Sequence, residues 1–246
     1  MNPKELIYFI HMPKTGGSTL TGVIKNQFSS SEILAYYHNQ DEIQNKLKQV
    51  NMDDLKIIHG HYFFGIHEYI DRPFSYFTIL RHPVERVISL YYYLKNIEGE
   101  RYDIYREMTL DEFVENKIED NIQTAYLSGN ERKPGLLKAV RNLRRYFDVV
   151  GTIEQFDETL YLLGKRYGWT KLHYKRKNVT ASRPHAIEVS EKTKRLIKQT
   201  HHKDLLLYKY AQKLLTKQLN ELNEQEKAEL KNFKRAQAEF ERNEQK

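Results

Sequence analysis

Residues 6–20 read LIYFIHMPKTGGSTL, and the fold follows from how that stretch divides. Its first part, residues 6–12, is a β-branched and aromatic run closed by Pro13, the pattern of a short buried strand. From Gly17 the period changes: Leu20, Val23, Ile24 and Phe28 fall on one helical face, and the run ends in serines. A strand, a glycine-bearing turn and a helix in succession aim backbone N–H groups and the positive end of a helix at one point, which suits an anion. The usual ATP loop carries its lysine after the second glycine. Here Lys14 precedes Gly16 and Gly17, with Ser18 and Thr19 behind them. The amides of Gly16 to Thr19 are expected to point inward around a phosphate. Read alone, the stretch also fits a plain strand-to-helix turn with a solvent-facing lysine.

Outward from this stretch, strands and helices alternate. Residues 55–58 form a second expected strand leading into HGHYFFG, residues 76–80 a third that stops at Arg81, and residues 148–152 a fourth. Val84, Val87, Ile88, Tyr91 and Leu94 recur at helical spacing after the third, and residues 156–167 are helical after the fourth. This order predicts an α/β fold: a central, mostly parallel sheet flanked by helices, of the nucleotide-binding type. No Gly/Ser/Pro linker cuts the chain, so residues 1–218 are expected to form one domain. Residues 219–246 differ, being rich in Glu, Lys, Gln and Asn, without Gly or Pro. Sparse apolar positions at Leu219, Leu222, Leu230, Phe233 and Phe240 predict a long charged helix, either solvated or offering a seam for self-association that breaks at Glu226.

Composition narrows the chemistry. The 246 residues are 39% apolar, enough for a core, and include no cysteine. Disulfides, thiolate metal sites and cysteine nucleophiles are thereby excluded. The apolar run at residues 6–10 is too short for a membrane span or a secretory signal, so a soluble, cytoplasmic protein is expected. A formal net charge of +7 favours anionic partners, among which nucleic acid, a phosphorylated cofactor and an acidic polysaccharide all qualify.

A second element accompanies the loop. LRHPVERVISLYYYL places Arg81 at a strand end and Ser89 on the helix about two turns further on, so the two side chains are able to meet at one anion. Taken alone, Arg81 pairing locally with Glu85 explains the pattern as well. Together, however, PKTGGST and RHPVERVISLYYYL resemble the PAPS-dependent sulfotransferases, in particular the carbohydrate branch that includes the heparan sulfate 2-O- and 6-O-sulfotransferases. PAPS is 3′-phosphoadenosine 5′-phosphosulfate. The similarity extends to DVVGTIEQFDETLYLL and KNVTASRP and covers about residues 6–210.

The resemblance implies a donor and a set of contacts. Lys14, Thr15, Gly16, Gly17, Ser18 and Thr19 would hold the 5′-phosphosulfate of PAPS, and Arg81 and Ser89 the 3′-phosphate. Asn178, Thr180 and Arg183, in KNVTASRP, would close over the nucleotide, and adenosine 3′,5′-bisphosphate would be the product. Lys14 would stabilise the bridging oxygen as charge develops there, so no metal is required. An acceptor hydroxyl must lose a proton, and histidine suits that task at neutral pH. By resemblance to the His-Gly-His stretch of the 2-O-sulfotransferases, His61 is the first choice for general base and His59 the second. Local packing at a strand end is the plainer account of that pair. His67 is expected at the surface, and His11 as structural support for the loop.

On the acceptor side, Lys138, Arg141 and Arg145 share one face of an expected helix, within a basic segment that also holds Arg132, Lys133 and Arg144. That face reads either as ordinary solvated surface or as a groove for an acidic acceptor. A second basic run, KLHYKRKN from Lys171, would serve nucleotide or acceptor, and by resemblance to the carbohydrate enzymes Asn121 and Gln123 would border the acceptor site. The acceptor would be a carbohydrate, a glycolipid or a small hydroxylated compound. Two other readings compete: a nucleotide-dependent small-molecule kinase, and a non-catalytic protein binding nucleic acid or another polyanion. The displaced lysine, and the lack of a clear acidic magnesium ligand at a strand end, weigh against the kinase. Nucleic acid is the less favoured partner, since the tyrosines fall mostly at helical core spacing.

Overall fold

The structure, a computed structural model, describes residues 5–37, 43–116, 118, 120–130, 132–175 and 189–243, with Gln44 by its backbone alone. The chain begins with β1 (Leu6–Ile10), α1 (Gly17–Gln27), β2 (Ile33–Tyr36), α2 (Ile43–Leu47), β3 (Ile57–Gly60) and β4 (Phe74–Leu80). Helices α3 (Pro83–Lys95), α4 (Asp103–Glu107), α5 (Leu110–Glu115), α6 (Ile122–Ser128) and α7 (Leu136–Tyr146) lead to β5 (Phe147–Thr152). Then come α8 (Phe156–Tyr167), α9 (Glu191–Thr200), α10 (His202–Asn220) and α11 (Glu224–Asn243).

The five strands form one parallel sheet in the order β2-β3-β1-β4-β5, as expected of an α/β fold. β1 is central and buried along its whole length, because both faces are covered. Its side chains alternate between two cores. Leu6, Tyr8 and Ile10 join Leu127, Leu143 and Leu207 of α6, α7 and α10 on one face. Ile7 and Phe9 join Leu20, Val23 and Ile24 of α1 and Leu160 and Leu163 of α8 on the other. The chain runs outward from β1 to β2 and β3 on one side, then crosses to β4 and β5 on the other. Such a reversal opens a crevice at the carboxyl ends of the central strands, where ligands bind in open α/β sheets.

Three local expectations shift. The strand expected at residues 55–58 runs instead over Ile57–Gly60, because Leu55 is held in a turn by its N–H bond to the Asn51 carbonyl. His59 therefore lies inside the sheet, opposite Phe9 and Ala35. β2, only four residues long, is an additional edge strand. The charged tail begins with the last residues of α10, breaks near Leu222 and continues as the 20-residue helix α11, which returns along α8. Leu222 is buried in the second core, Leu230 and Phe233 pack against it, and Lys234 pairs with Glu158 at 2.5 Å. Gln237 is buried and donates to the Tyr174 carbonyl at 2.8 Å. The apolar seam expected to face solvent or another chain is thus covered by the chain itself. No helix among the described residues is long and apolar enough to cross a membrane.

Candidate active site

The turn after β1 is built tightly. Lys14 adopts φ +67°, a left-handed conformation uncommon outside glycine, and Gly16 follows at φ +83°. The Thr15 hydroxyl, fully buried, donates to the Met12 carbonyl at 2.9 Å and closes the turn from inside. A Cβ at Gly17 would lie 1.7 Å from Nε2 of His11, so the glycine is required by the imidazole packed against the helix start. Thr19 donates its N–H to the Gly16 carbonyl at 3.1 Å, which corrects the expectation that its amide faces an anion. The turn offers its donors from the residues ahead of Thr19, with the positive end of α1 behind them.

Three histidines gather at the ends of β1 and β3. The His11 N–H donates to the Gly60 carbonyl at 2.9 Å, and the His11 and His61 rings lie 4.7 Å apart. Gly60, at φ +152°, separates His59 from His61 where the Tyr36 carbonyl leaves no room for a Cβ, which would lie 1.6 Å from that oxygen. His59 is buried, with Nδ1 3.3 Å from the Tyr37 hydroxyl. His61 is half-buried, and the Tyr37 ring meets it edge-on at 4.9 Å. His11 Nδ1 and His59 Nε2 are buried with no hydrogen-bond partner among the described residues. Burial holds all three rings neutral: the proton affinity drops from 6.5 to about 3 for His11 and to about 4 for His59 and His61. Neighbouring rings reinforce the shift at His11, and Lys25 does so at His59.

Across β1 the site is cationic. Arg81 Nη1 donates to the Lys14 carbonyl at 3.1 Å, and Arg81 Nη2 lies 3.7 Å from Glu85. Lys14 Nζ rests 4.0 Å from the centre of the Tyr93 ring on α3. Ser89 is buried on α3. Lys14 and Arg81, 67 residues apart in the chain, are therefore brought to one place. The described donors are ammonium, guanidinium, amides and hydroxyl, a set that fits a polyanionic nucleotide. Among the described residues no three His, Asp or Glu side chains cluster closely enough to hold a metal ion.

Other expected residues are placed differently. Gln123 and Asn121 are buried and do not line an acceptor surface: Gln123 bonds the Arg81 backbone, and Asn121 bonds Thr200, Lys203 and Asp204. His67 is half-buried rather than a free surface residue, for its Nδ1 lies 2.9 Å from the Tyr76 hydroxyl in a cluster with Phe64, Phe74 and Tyr146. Lys138, Arg141, Arg144 and Arg145 are exposed along α7. Asn178, Thr180 and Arg183 lie outside the described residues. Two contacts escaped the sequence reading. Tyr37 follows an edge strand too short to register, whereas Tyr93 had a signal: three successive tyrosines span more than half a turn, so one must leave the core.

The fold defines an α/β protein of the phosphate-loop type, its glycine-bearing turn at the end of the central strand. The profile described as Sulfotransferase family matches residues 1–211, and the chain belongs to that family. Among solved structures, mouse sulfotransferase SULT7A1 complexed with PAP is similar at 14% identity and a TM-score of 0.38, over 80% of this chain and 63% of that one. The chain thus spans less than two thirds of that structure's length. No curated protein matches the chain.

Proposed function

We propose that this chain moves the sulfuryl group of PAPS to a hydroxyl of a carbohydrate or related acceptor by in-line displacement. The observation that carries the reading is the bond from Arg81 to the Lys14 carbonyl, which joins the phosphate turn to the second anion-binding motif. When bound, PAPS supplies the sulfuryl group and a phosphate leaving group. Arg81 and Ser89 hold the 3′-phosphate, while the turn from Lys14 to Ser18 and the start of α1 hold the 5′ end. The Tyr93 ring keeps the Lys14 ammonium close by, through a cation–π contact weak enough to be exchanged for an anion. At the turn Lys14 opposes the charge that develops on the leaving oxygen.

His61 takes the acceptor proton at a ring nitrogen. It is the more exposed of the His-Gly-His pair, while His59 is buried against Tyr37 and supports it. With a proton affinity of about 4, His61 is neutral at pH 7 and ready to accept. Negative charge brought by the donor raises that affinity toward the working pH, where a general base is most effective. The exposed basic face of α7 supports an acidic acceptor. α7 packs on α6, and the Tyr126 carbonyl of α6 accepts a bond from Phe64, three residues beyond His61.

Thermal shift tests the donor assignment. Adenosine 3′,5′-bisphosphate is expected to stabilise the chain, with ATP plus magnesium and short oligonucleotides giving little effect. A larger shift with ATP and magnesium would favour a kinase, and one with oligonucleotides a nucleic-acid-binding protein.

A further inference from the structure

Gln123 lies fully buried in the first turn of α6, with its carboxamide set against the peptide of Arg81. Its Oε1 accepts the Arg81 N–H at 2.9 Å, and its Nε2 donates to the Arg81 carbonyl at 3.0 Å. A primary amide carries one acceptor and one donor group side by side, so it mimics a neighbouring strand. Pairing of the β4 backbone is thereby extended one residue beyond Leu80.

Behind Gln123 stands a buried anchor. Asp204, fully buried on α10, accepts the N–H groups of Gln123 and Thr124 at 3.1 and 2.7 Å and the Thr124 hydroxyl at 2.8 Å. Asn121 locks the same junction from the other side, its Oδ1 accepting the N–H groups of Lys203 and Asp204 at 2.9 and 3.2 Å. Burial pushes the Asp204 carboxyl above its ordinary range, and Arg86, fully buried on α3, works against that rise together with the hydrogen bonds from Thr124 and Gln123. A buried network of this kind specifies one arrangement when satisfied and is costly when broken. Its end at the crevice is Arg81.

We propose that Gln123 is a positioning residue for the anion site: it holds the Arg81 peptide on both sides and, anchored by Asp204, presents the guanidinium to the 3′-phosphate of the nucleotide. This rests on the reading of Arg81 as a phosphate ligand. An arginine side chain has many rotamers, and anchoring its backbone leaves fewer positions for the guanidinium to search.

Gln123→Met keeps the side-chain length and removes both bonds. Calorimetric titration of the full chain with adenosine 3′,5′-bisphosphate and with adenosine 5′-monophosphate gives an affinity ratio that reports the 3′-phosphate alone. The wild-type chain is expected to prefer the bisphosphate, and Gln123→Met to lower that ratio about tenfold with monophosphate binding unchanged. Hydrogen exchange at the Arg81 amide should accelerate in the same variant. Asn142→Leu serves as the structural control, because Asn142 makes its own buried bond to the Leu127 carbonyl at 2.8 Å. It should lower Tm and leave the ratio alone. A wild-type preference that survives Gln123→Met overturns the positioning role. A wild-type ratio near one overturns the phosphate-ligand reading of Arg81 and this inference with it. Should the Met variant fail to fold, Gln123→Asn, whose amide falls one methylene short of Arg81, gives the same readout.

Discussion

The two flanks of β1 hold their polar groups under opposite rules. Toward β3, His11 and His59 are buried with a ring nitrogen lacking a hydrogen-bond partner among the described residues, and burial keeps them neutral. Toward β4, the Arg81 peptide is fixed by Gln123, and its guanidinium finds partners in the Lys14 carbonyl and Glu85. A buried group avoids the cost of an unpaired charge either by giving up the charge or by finding partners for it. The first solution suits a residue that must take up and release a proton. The second suits one that must stay charged in one place. The proposed chemistry needs both within one crevice, and the strand reversal around β1 supplies adjacent but separate flanks.

The contrast is broken most directly at the residues given the proposed roles on each flank. His61→Ala should lower kcat by roughly 10²–10⁴-fold while binding of adenosine 3′,5′-bisphosphate is retained. Lys14→Ala should reduce both turnover and nucleotide affinity, because its ammonium serves the ground state as well as the leaving oxygen. If His61→Ala kept nearly full activity toward the true acceptor, the histidine flank would have no role as base.

A smaller effect probes the packing of the neutral flank. Gly17→Ala drives a methyl into the His11 ring, which is itself wedged between Phe9, Tyr37 and His61. Denaturant unfolding should show a loss of about 1–3 kcal/mol, as for other overpacked sites. The loss should largely vanish in a His11→Ala background, since the two changes share one space. Additive penalties would mean that something other than the imidazole demands the glycine.

Acid titration sharpens the comparison through the protons on the rings themselves. Each of the three rings binds its proton less tightly in the folded chain than the ordinary value of 6.5, at about 3 for His11 and about 4 for His59 and His61. Below pH 6.5 the unfolded chain therefore holds more protons, and stability falls as the pH is lowered. The loss should begin between pH 6.5 and 5, above the range of ordinary carboxylates, and continue to about pH 4 for His59 and His61 and about pH 3 for His11. Measured as the urea midpoint, it should shrink when His59 is replaced by Phe. A midpoint level across that window would place the rings in water.

Much of the fold around the candidate site was legible because its signals are local. The change of period at Gly17 marks the end of a strand and the start of a helix, and the arginine of LRHP stands just past the end of β4. Helix α8 has the bounds its apolar spacing predicts. Less visible were features that depend on what lies opposite. β2 is four residues long and has only one buried neighbour strand, too little pattern to stand out. Nothing local to Gln123 says that its amide will meet Arg81, 42 residues away. His67 looked like a surface residue because its aromatic partners Phe74, Tyr76 and Tyr146 come from other parts of the chain.

The sequence by itself determined the strand–turn–helix at residues 6–27 and the alternation that makes a parallel α/β sheet. Backbone periodicity and the special demands of glycine are written residue by residue, so these features need no distant partner. Only the tertiary structure decided which histidine is buried, which glutamine grips the arginine, and where the charged tail lies. His59 is enclosed because the sheet register sets it between Phe9 and Ala35, whereas His61 falls beyond the strand end. The tail is held because Leu222, Leu230 and Phe233 find the apolar core beside α8. Burial and partnership are properties of contacts between distant segments, and they exist only once the sheet has chosen its order.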